Sequence, residues 1–370
     1  MSFRRLISFT VLVFALSGVS NSAIAQHEEN AANHEAETHG EAGGEKKLNV
    51  SEEIFGHIGD SHYWHFFDVN EEPVSVSLPV IIYDKNGGLK MFSASKFHHG
   101  HEEFEGYKLQ FGMKEKIVWA NEAEAAQHDI YDFSITKNVL SMMISVVLLL
   151  WIMLGVAKKY KKNGTMVAPS GFQNGLEPVL TFIRDEVAKP NLGNRYMYFM
   201  PLLLTIFFFI WINNLLGLLP GGANFTGNIT VTLCLAIVAF IVMMAKSNKH
   251  YWSHLLNPPG VPMGIKFLLV PIEIMSMFIK PIALTIRLFA NIMAGHIVIL
   301  SVVLLIFIFG ALSKAVGMVF VPVSLAFSIF MFMLELLVAA IQAFIFANLT
   351  AVFIGQAIEE PHHHGEEAHH

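Results

Sequence analysis

Lys280-Pro-Ile-Ala-Leu-Thr-Ile-Arg287-Leu-Phe-Ala-Asn291-Ile-Met-Ala-Gly-His296 places an arginine inside one of the most apolar parts of a 370-residue chain. From Leu288 to Ser313 there is no Asp, Glu, Lys or Arg, and the nearest charge before Arg287 is Lys280. An arginine at the centre of a bilayer costs roughly 2.5–3.5 kcal/mol on insertion scales. A carboxylate, a wet cavity or a neighbouring backbone has to offset that cost. Arg287 is therefore the first candidate functional residue.

The apolar run around it extends from Gly264 to Leu312, and a second runs from Val316 to Ala357. At 1.5 Å per residue each exceeds about 60 Å as a helix, whereas the hydrocarbon core is about 30 Å thick. Ordinary tilting does not absorb that excess. Either each run breaks into two spans, at Pro271, Pro281, Gly310 or Pro322, or each is one long helix lying obliquely. The residues alone leave both open.

The whole chain is 54% hydrophobic with a mean hydropathy of +0.50, which describes a polytopic membrane protein with a polar front end. The net charge of −6 comes mostly from acidic residues in the first 125 positions and at the C-terminus, and nothing points to nucleic acid. Cys234 is the only cysteine, so the chain has no internal disulfide. No nucleotide-binding motif is present. The chain is therefore not expected to act on nucleotides itself.

Residues 1–25 read as a signal peptide: Arg4 and Arg5, an apolar core from Leu6 to Val19, and Ala23-Ile24-Ala25 as cleavage site. The His/Glu-rich segment 26–49 has too little apolar content to fold. Residues 50–121 have the composition of a small extracytoplasmic domain. There Val74, Val76 and Leu78 alternate with serines, and Asn86-Gly87-Gly88 supplies a turn into Leu89–Phe92. That pattern predicts a β-hairpin, joined by Tyr107–Phe111 and Ile117–Trp119. His98, His99 and His101 come from one short loop and read as surface histidines rather than metal ligands. No metal or cofactor is expected.

Three shorter spans precede the long runs, at about 138–157, 196–219 and 228–245. Lys158, Lys159, Lys161 and Lys162 place the end of the first in the cytoplasm, in agreement with a start outside. Between Ser170 and Lys189, Leu176, Val179, Leu180, Ile183 and Val187 form one apolar stripe, which predicts a helix along the cytoplasmic interface. Asn228, Thr230 and Thr232 read as interhelical glue.

Within the long runs, Glu273, Lys280 and Arg287 are seven residues apart and share one stripe, which Asn291 continues. His296 lies about half a turn round. Glu335 and Gln342 share a face of the second run. Such groups mark ion paths or proton relays in membranes. An Arg287–Glu335 pair gluing two helices is the simpler alternative, but it leaves His296, Gln342 and Glu273 without a role.

Lys280-Pro281, Arg287-Leu-Phe-Ala-Asn291, Ala294-Gly295 and Ile341-Gln342-Ala343-Phe344-Ile345-Phe346 resemble the motifs of subunit a of the rotary ATP synthase. Asn174-Gly175-Leu176-Glu177 and Asn228-Ile-Thr fit the same family. The resemblance covers residues 130–357, and 358–370 form a His-rich tail beyond it. It implies an all-α polytopic fold of about five membrane helices, the last two long and strongly tilted; the signal peptide and the small extracytoplasmic β-containing domain at 50–121 depart from the family's shorter members, and no role is carried over to them.

It further implies a proton-translocating stator in a bacterial plasma membrane, mature N-terminus outside and C-terminus in the cytoplasm. The partners implied are a ring of c subunits, b-type peripheral stalk subunits and other subunits of the synthase. Arg287 would match the family's essential arginine, which meets the ring carboxylates and favours their ionised form. Asn291 and Gln342 would match polar residues beside it, and Glu273 an acidic position near the cytoplasmic half-channel. His296 falls where many members have Glu, and Glu335 where they have His, so the pair looks exchanged. A secondary ion transporter or channel, or a scaffold with purely structural polar groups, are the competing classes. A transporter predicts repeated broken helices, and no internal repeat is evident.

Overall fold

The computed structural model describes residues 59–358 apart from 70–71, 85–87, 101, 112–113, 122–129, 165–170, 220–221, 224, 259–260 and 313. The expected signal peptide, the His/Glu-rich segment and the tail after Ile358 lie outside the described residues.

The N-terminal unit is built from three small antiparallel sheets around one core. β1 (Tyr63–Val69) pairs with β2 (Glu72–Ser77), and β3 (Pro79–Asp84) lies between β4 (Gly88–Ser93) and β7 (Ile130–Asp132). The hairpin expected around Asn86–Gly88 is the β3–β4 pair, in register from Pro79↔Ser93 to Asp84↔Gly88. On β3, Val80, Ile82 and Asp84 point inward while Pro79 and Tyr83 point out, as period-two alternation requires. β5 (Tyr107–Gln110) and β6 (Lys116–Trp119) pair with each other, not with that hairpin as expected. They join it through packing: Tyr107, Leu109 and Ile117 enter the core of Val80, Ile82 and Phe97. His98 and His99 sit in the intervening turn with left-handed φ of 43° and 56°. The His99 ring stacks on Tyr63 at 4.3 Å, and His98 lies 3.6 Å from Glu102 at the surface.

This unit is fastened to the first membrane helix, α1 (Lys137–Asn163), at its foot. A helix start leaves its first backbone N–H groups without partners. Here Asn138 N donates to Asp60 Oδ1 at 3.2 Å and Lys137 N to the Ser61 carbonyl at 2.9 Å. Thr136, at the N-cap, donates its hydroxyl to Asp60 Oδ2 at 2.8 Å. Beside them the fully buried His62 stands between two carboxylates, 3.3 Å from Glu115 and 3.6 Å from Asp132. Burial works against charge on the imidazole, but the two carboxylates beside it, Asp132 and Glu115, outweigh it and push His62 up to about 9. Burial likewise opposes charge on Glu115 and Asp132, yet the contact with His62 holds both below the usual carboxylate range.

The sign of the linkage follows. With its pKa raised on folding, His62 adds stability in full below about 6.5, and that contribution fades as pH climbs towards 9. At the acid end, protonation of Glu115 and Asp132 removes the same interaction. Hydrogen-exchange protection of β1 and β7 in the purified chain is expected to fall between pH 6.5 and 9. In His62→Ala it should be low throughout. Flat protection across that window would remove the charged-lock account.

Among the described residues, five helices are long and apolar enough to cross a membrane. α2 (Phe172–Phe182) continues through a π-helical turn (Ile183–Ala188), α3 (Lys189–Leu192) and a 3-10 turn (Gly193–Arg195) into α4 (Tyr196–Leu218). The amphipathic stripe expected at 170–189 is buried at Leu176, Ile183 and Val187, while Arg184, Asp185 and Lys189 pair on the more exposed side. α5 (Ile229–Lys246) is capped by Asn228, whose side chain accepts from Thr230 N at 2.9 Å. Thr232 donates to the Ile229 carbonyl. Asn228 thus caps the helix start, where a side-chain oxygen satisfies an orphaned backbone donor, and the Thr232 hydroxyl bonds within its own helix, so neither is seen gluing two helices. α6 (Lys249–Leu256) leads to the last third.

There α7 (Met263–Leu312) and α8 (Lys314–Ile358) are each one unbroken helix. They run antiparallel: Phe309 stacks on Phe320 at 4.0 Å near the connection, and Lys280 Nζ donates to Gln356 Oε1 at 2.9 Å far from it. α8 packs tightly on α3, since a Cβ added to Gly355 would lie 2.1 Å from the Asn191 carbonyl oxygen. The core gathers around α4, with Leu203, Ile206 and Phe208 meeting Phe346, Ala347 and Ile354 of α8. α7 is covered least. Only 18% of its most apolar stretch is buried, against 61% for the span through α4.

Candidate ion-translocation site

Arg287 and Asn291 lie on the uncovered face of α7, together with Ala283, Ala290 and Ala294. Leu284, Leu288 and Ile292 occupy the opposite side and are buried against the other helices. No group among the described residues forms an ion pair or hydrogen bond with Arg287. The arginine faces outward from the chain, at the middle of an apolar helix, on a strip of small side chains.

His296 turns the other way, into the seam with α8, where its Nε2 lies 3.6 Å from Glu335 Oε1. Glu335 is 4% exposed, and neither carboxyl oxygen has a hydrogen-bond partner among the described residues. It fits there because Gly295 has no side chain: a Cβ at that position would lie 2.8 Å from Glu335 Oε1 and 2.9 Å from its Cδ. The acid and the imidazole, half a turn away from Arg287 in the sequence pattern, are thus brought into one pair between two helices. The alternative Arg287–Glu335 pair does not form.

Gln342 is buried two turns further along the Glu335 stripe, beside Ala339, Ala343 and Phe346. Asn214 of α4 donates to the Ala339 carbonyl at 3.1 Å and accepts from Thr226 at 2.7 Å, tying three elements together one turn from Glu335. Glu273 is half-buried near α6, where burial first and the Glu273 charge second raise the Tyr251 hydroxyl. Lys280 lies over the Phe353 ring at 5.2 Å. The stripe of Glu273, Lys280 and Arg287 therefore serves three surroundings, and only Arg287 is left to the outside. Two residues on the Glu335 stripe escaped the sequence reading, Ser324 and Ser328. Their spacing from Glu335, by eleven and seven, was the available signal.

The five long apolar helices among the described residues define a multi-pass membrane protein, with an outward arginine on one long helix and an acid–imidazole pair behind it. Comparison with known proteins makes the assignment specific. A family profile described as ATP synthase A chain matches residues 139–355. An ATP synthase subunit a of Chloroherpeton thalassium is 47% identical over 244 residues, 65% of this chain and 71% of that protein. One from Chlorobium phaeobacteroides (strain DSM 266 / SMG 266 / 2430) is 36% identical over 358 residues, 95% of this chain and 88% of that protein. One from Myxococcus xanthus is 40% identical over 64% of this chain and 77% of its own length. The chain belongs to the ATP synthase subunit a family. A second profile, a domain of unknown function, matches residues 53–139.

Proposed function

We propose that this chain is the proton-conducting stator of a rotary ATP synthase, in which Arg287 couples proton flow to the turning of a c-subunit ring. The carrying observation is the unpaired Arg287 on the uncovered face of α7. A fixed charge in that position has its cost offset when a carboxylate of another chain comes opposite. Ala283, Ala290 and Ala294 let a helix of a partner approach closely.

The mechanism divides between the two faces of α7. On the seam side, His296 and Glu335 take up protons from the outer half-channel and pass them to a ring carboxylate. Once neutral, that carboxyl group enters lipid without the desolvation cost of a charge. After nearly a full turn it loses its proton to the inner half-channel, near Glu273, as it approaches Arg287. The guanidinium favours the ionised carboxylate and stops protons from crossing between half-channels directly. Asn291, on the same uncovered face, keeps the surroundings of Arg287 polar, and Gln342, buried on the Glu335 stripe, adds a polar group to the α8 side. ATP chemistry is left to other subunits.

The orientation rests on Lys158, Lys159, Lys161 and Lys162 at the end of α1, which favour the cytoplasm and put the β-domain outside a bacterial inner membrane. At about 75 Å and 68 Å, α7 and α8 lie obliquely in the bilayer. Their length gives the ring a broad surface to pass.

Ala290→Cys and Ala294→Cys, paired with cysteines near the ring carboxylate, are expected to form disulfide cross-links to c subunits. Ala236→Cys, on the buried face of α5, should form none. A transporter acting alone predicts no cross-links from any of the three.

A further inference from the structure

We infer that the outer face of the β4–β3–β7 sheet is a lipid-contact surface, seated on the headgroup layer of the leaflet at which α1 begins, a role separate from the stator function proposed above. An antiparallel sheet with one face on a core turns polar residues to water on the other. This sheet does the reverse. None of the outward positions on its three strands carries a charge. The charged side chains point the other way: Asp84 is buried, Asp132 faces His62, and Lys90 reaches Glu105 at 3.0 Å. The outer face carries two rows of apolar and aromatic side chains instead. Met91, Ile81 and Phe133 stand side by side in one row, and Leu89, Tyr83 and Tyr131 in the next. Leu89 is 63% exposed, Met91 67% and Phe133 56%, so the core does not take them. A contiguous apolar face of this kind marks a contact with protein or membrane.

Two observations select lipid. The first is the tether. β7 ends at Asp132 and α1 starts at Lys137, so Phe133 lies at most about 14 Å of extended chain from the start of a membrane span. The link cannot swing free, because Phe133 N donates to the Ile81 carbonyl at 2.8 Å and Ile135 N to the Pro79 carbonyl at 3.2 Å. Since the headgroup layer adds about 5–7 Å on each side of the hydrocarbon, the sheet is held beside it by its own chain. The second is the order of the two rows. The row nearer α1, with Phe133, has no hydroxyl. The row about 7 Å further along the strands carries those of Tyr83 and Tyr131, whose rings lie 6.5 Å apart. Tyrosine settles at headgroup level with its ring in apolar surroundings and its hydroxyl wet. Polarity thus rises with distance from the span, as a bilayer requires and a protein partner does not.

The test uses the assembled synthase in phosphatidylcholine vesicles, with Cys234→Ala as background. Leu89→Cys, Met91→Cys and, as a wet control on β5, Lys108→Cys each carry a nitroxide spin label. All three native side chains are exposed, so the label displaces no packing. Electron paramagnetic resonance then reads collisions with oxygen, which concentrates in lipid, and with a water-soluble nickel chelate. The oxygen-to-nickel ratio should be several-fold higher at Met91 and Leu89 than at Lys108, and highest at Met91, whose row lies nearer the span. Nickel access at Met91 and Leu89 equal to that at Lys108 would put water on the face. Poor access to both reagents would put protein there, another subunit or a second copy of this chain. Either result overturns the lipid contact, and so does a higher ratio at Leu89 than at Met91. None of these readings involves proton pumping, so failure here leaves the stator function standing.

Discussion

Arg287→Ala is expected to abolish ATP-driven proton pumping by inverted membrane vesicles, with the c ring still present in the purified complex. The side chain makes no ion pair or hydrogen bond within the described part of its own chain, so its removal breaks no internal interaction. Its neighbours Leu284, Leu288 and Ile292, which do hold α7 to the other helices, are untouched. In the bilayer, loss of the charge even relieves an insertion cost of roughly 2.5–3.5 kcal/mol. The variant should therefore fold and insert at least as well as the parent while losing the charge that, in the proposed function, separates two proton paths. A passive leak through the complex is the second expected sign. Normal pumping by an assembled Arg287→Ala complex would mean that the arginine is structural and the coupling account is wrong.

The second large effect is expected at Gly295. Any Cβ there lies within 2.8 Å of Glu335 Oε1, so Gly295→Val forces the carboxyl group off its place beside His296. The displaced atoms belong to the end of a flexible side chain, and for that reason the helices stay together and the proton step suffers instead. Misplacing a transfer partner by about an ångström lowers rates by roughly tenfold or more. Pumping in Gly295→Val should fall by that order, with less loss in Gly295→Ala. Combining Gly295→Ala with Glu335→Asp, whose shorter side chain withdraws from the new methyl, should recover part of the activity. If the double variant is no better than the worse of its parents, the Gly295–Glu335 contact is not what limits proton transfer.

The long helices were legible in the sequence as apolar runs, but not their continuity. Pro271, Pro281 and Pro322 looked like breaks; inside a membrane the freed carbonyls find other donors and the helix continues. The carbonyl that Pro281 leaves without its donor is that of Met277, while Thr285 adds a bond within the same turn, donating its hydroxyl to the Pro281 carbonyl at 2.9 Å. In the β-domain the β3–β4 hairpin was readable from its turn and alternation. β1 was not, because a register shift between His65 and Phe67 breaks the alternation in Trp64-His65-Phe66-Phe67. His62 carried no local signal at all. Its two carboxylates stand 53 and 70 positions away, a separation that only folding removes.

The polar residues of α7 were readable one by one from their isolation in apolar sequence, and a separation of nine residues put Arg287 and His296 on different sides. What spacing could not supply was the inter-helix register that sets His296 against Glu335. Nor could it reveal that a glycine leaves the room for that contact. Ser324 and Ser328 stayed hidden for another reason. Serine is common in membrane helices because it satisfies itself on the preceding turn, and only coordinates separate a self-satisfied hydroxyl from an orphan.

The thin cover over α7 bears on how much of this protein a cell can keep. A subunit whose charged helix faces lipid until a partner arrives begins life with part of its stability still to come, and binding partners raise stability by mass action. Its abundance should therefore follow that of the ring. Copies made in excess would dwell in loosened states and be cleared by membrane proteases, so stoichiometry is enforced by turnover as well as by synthesis.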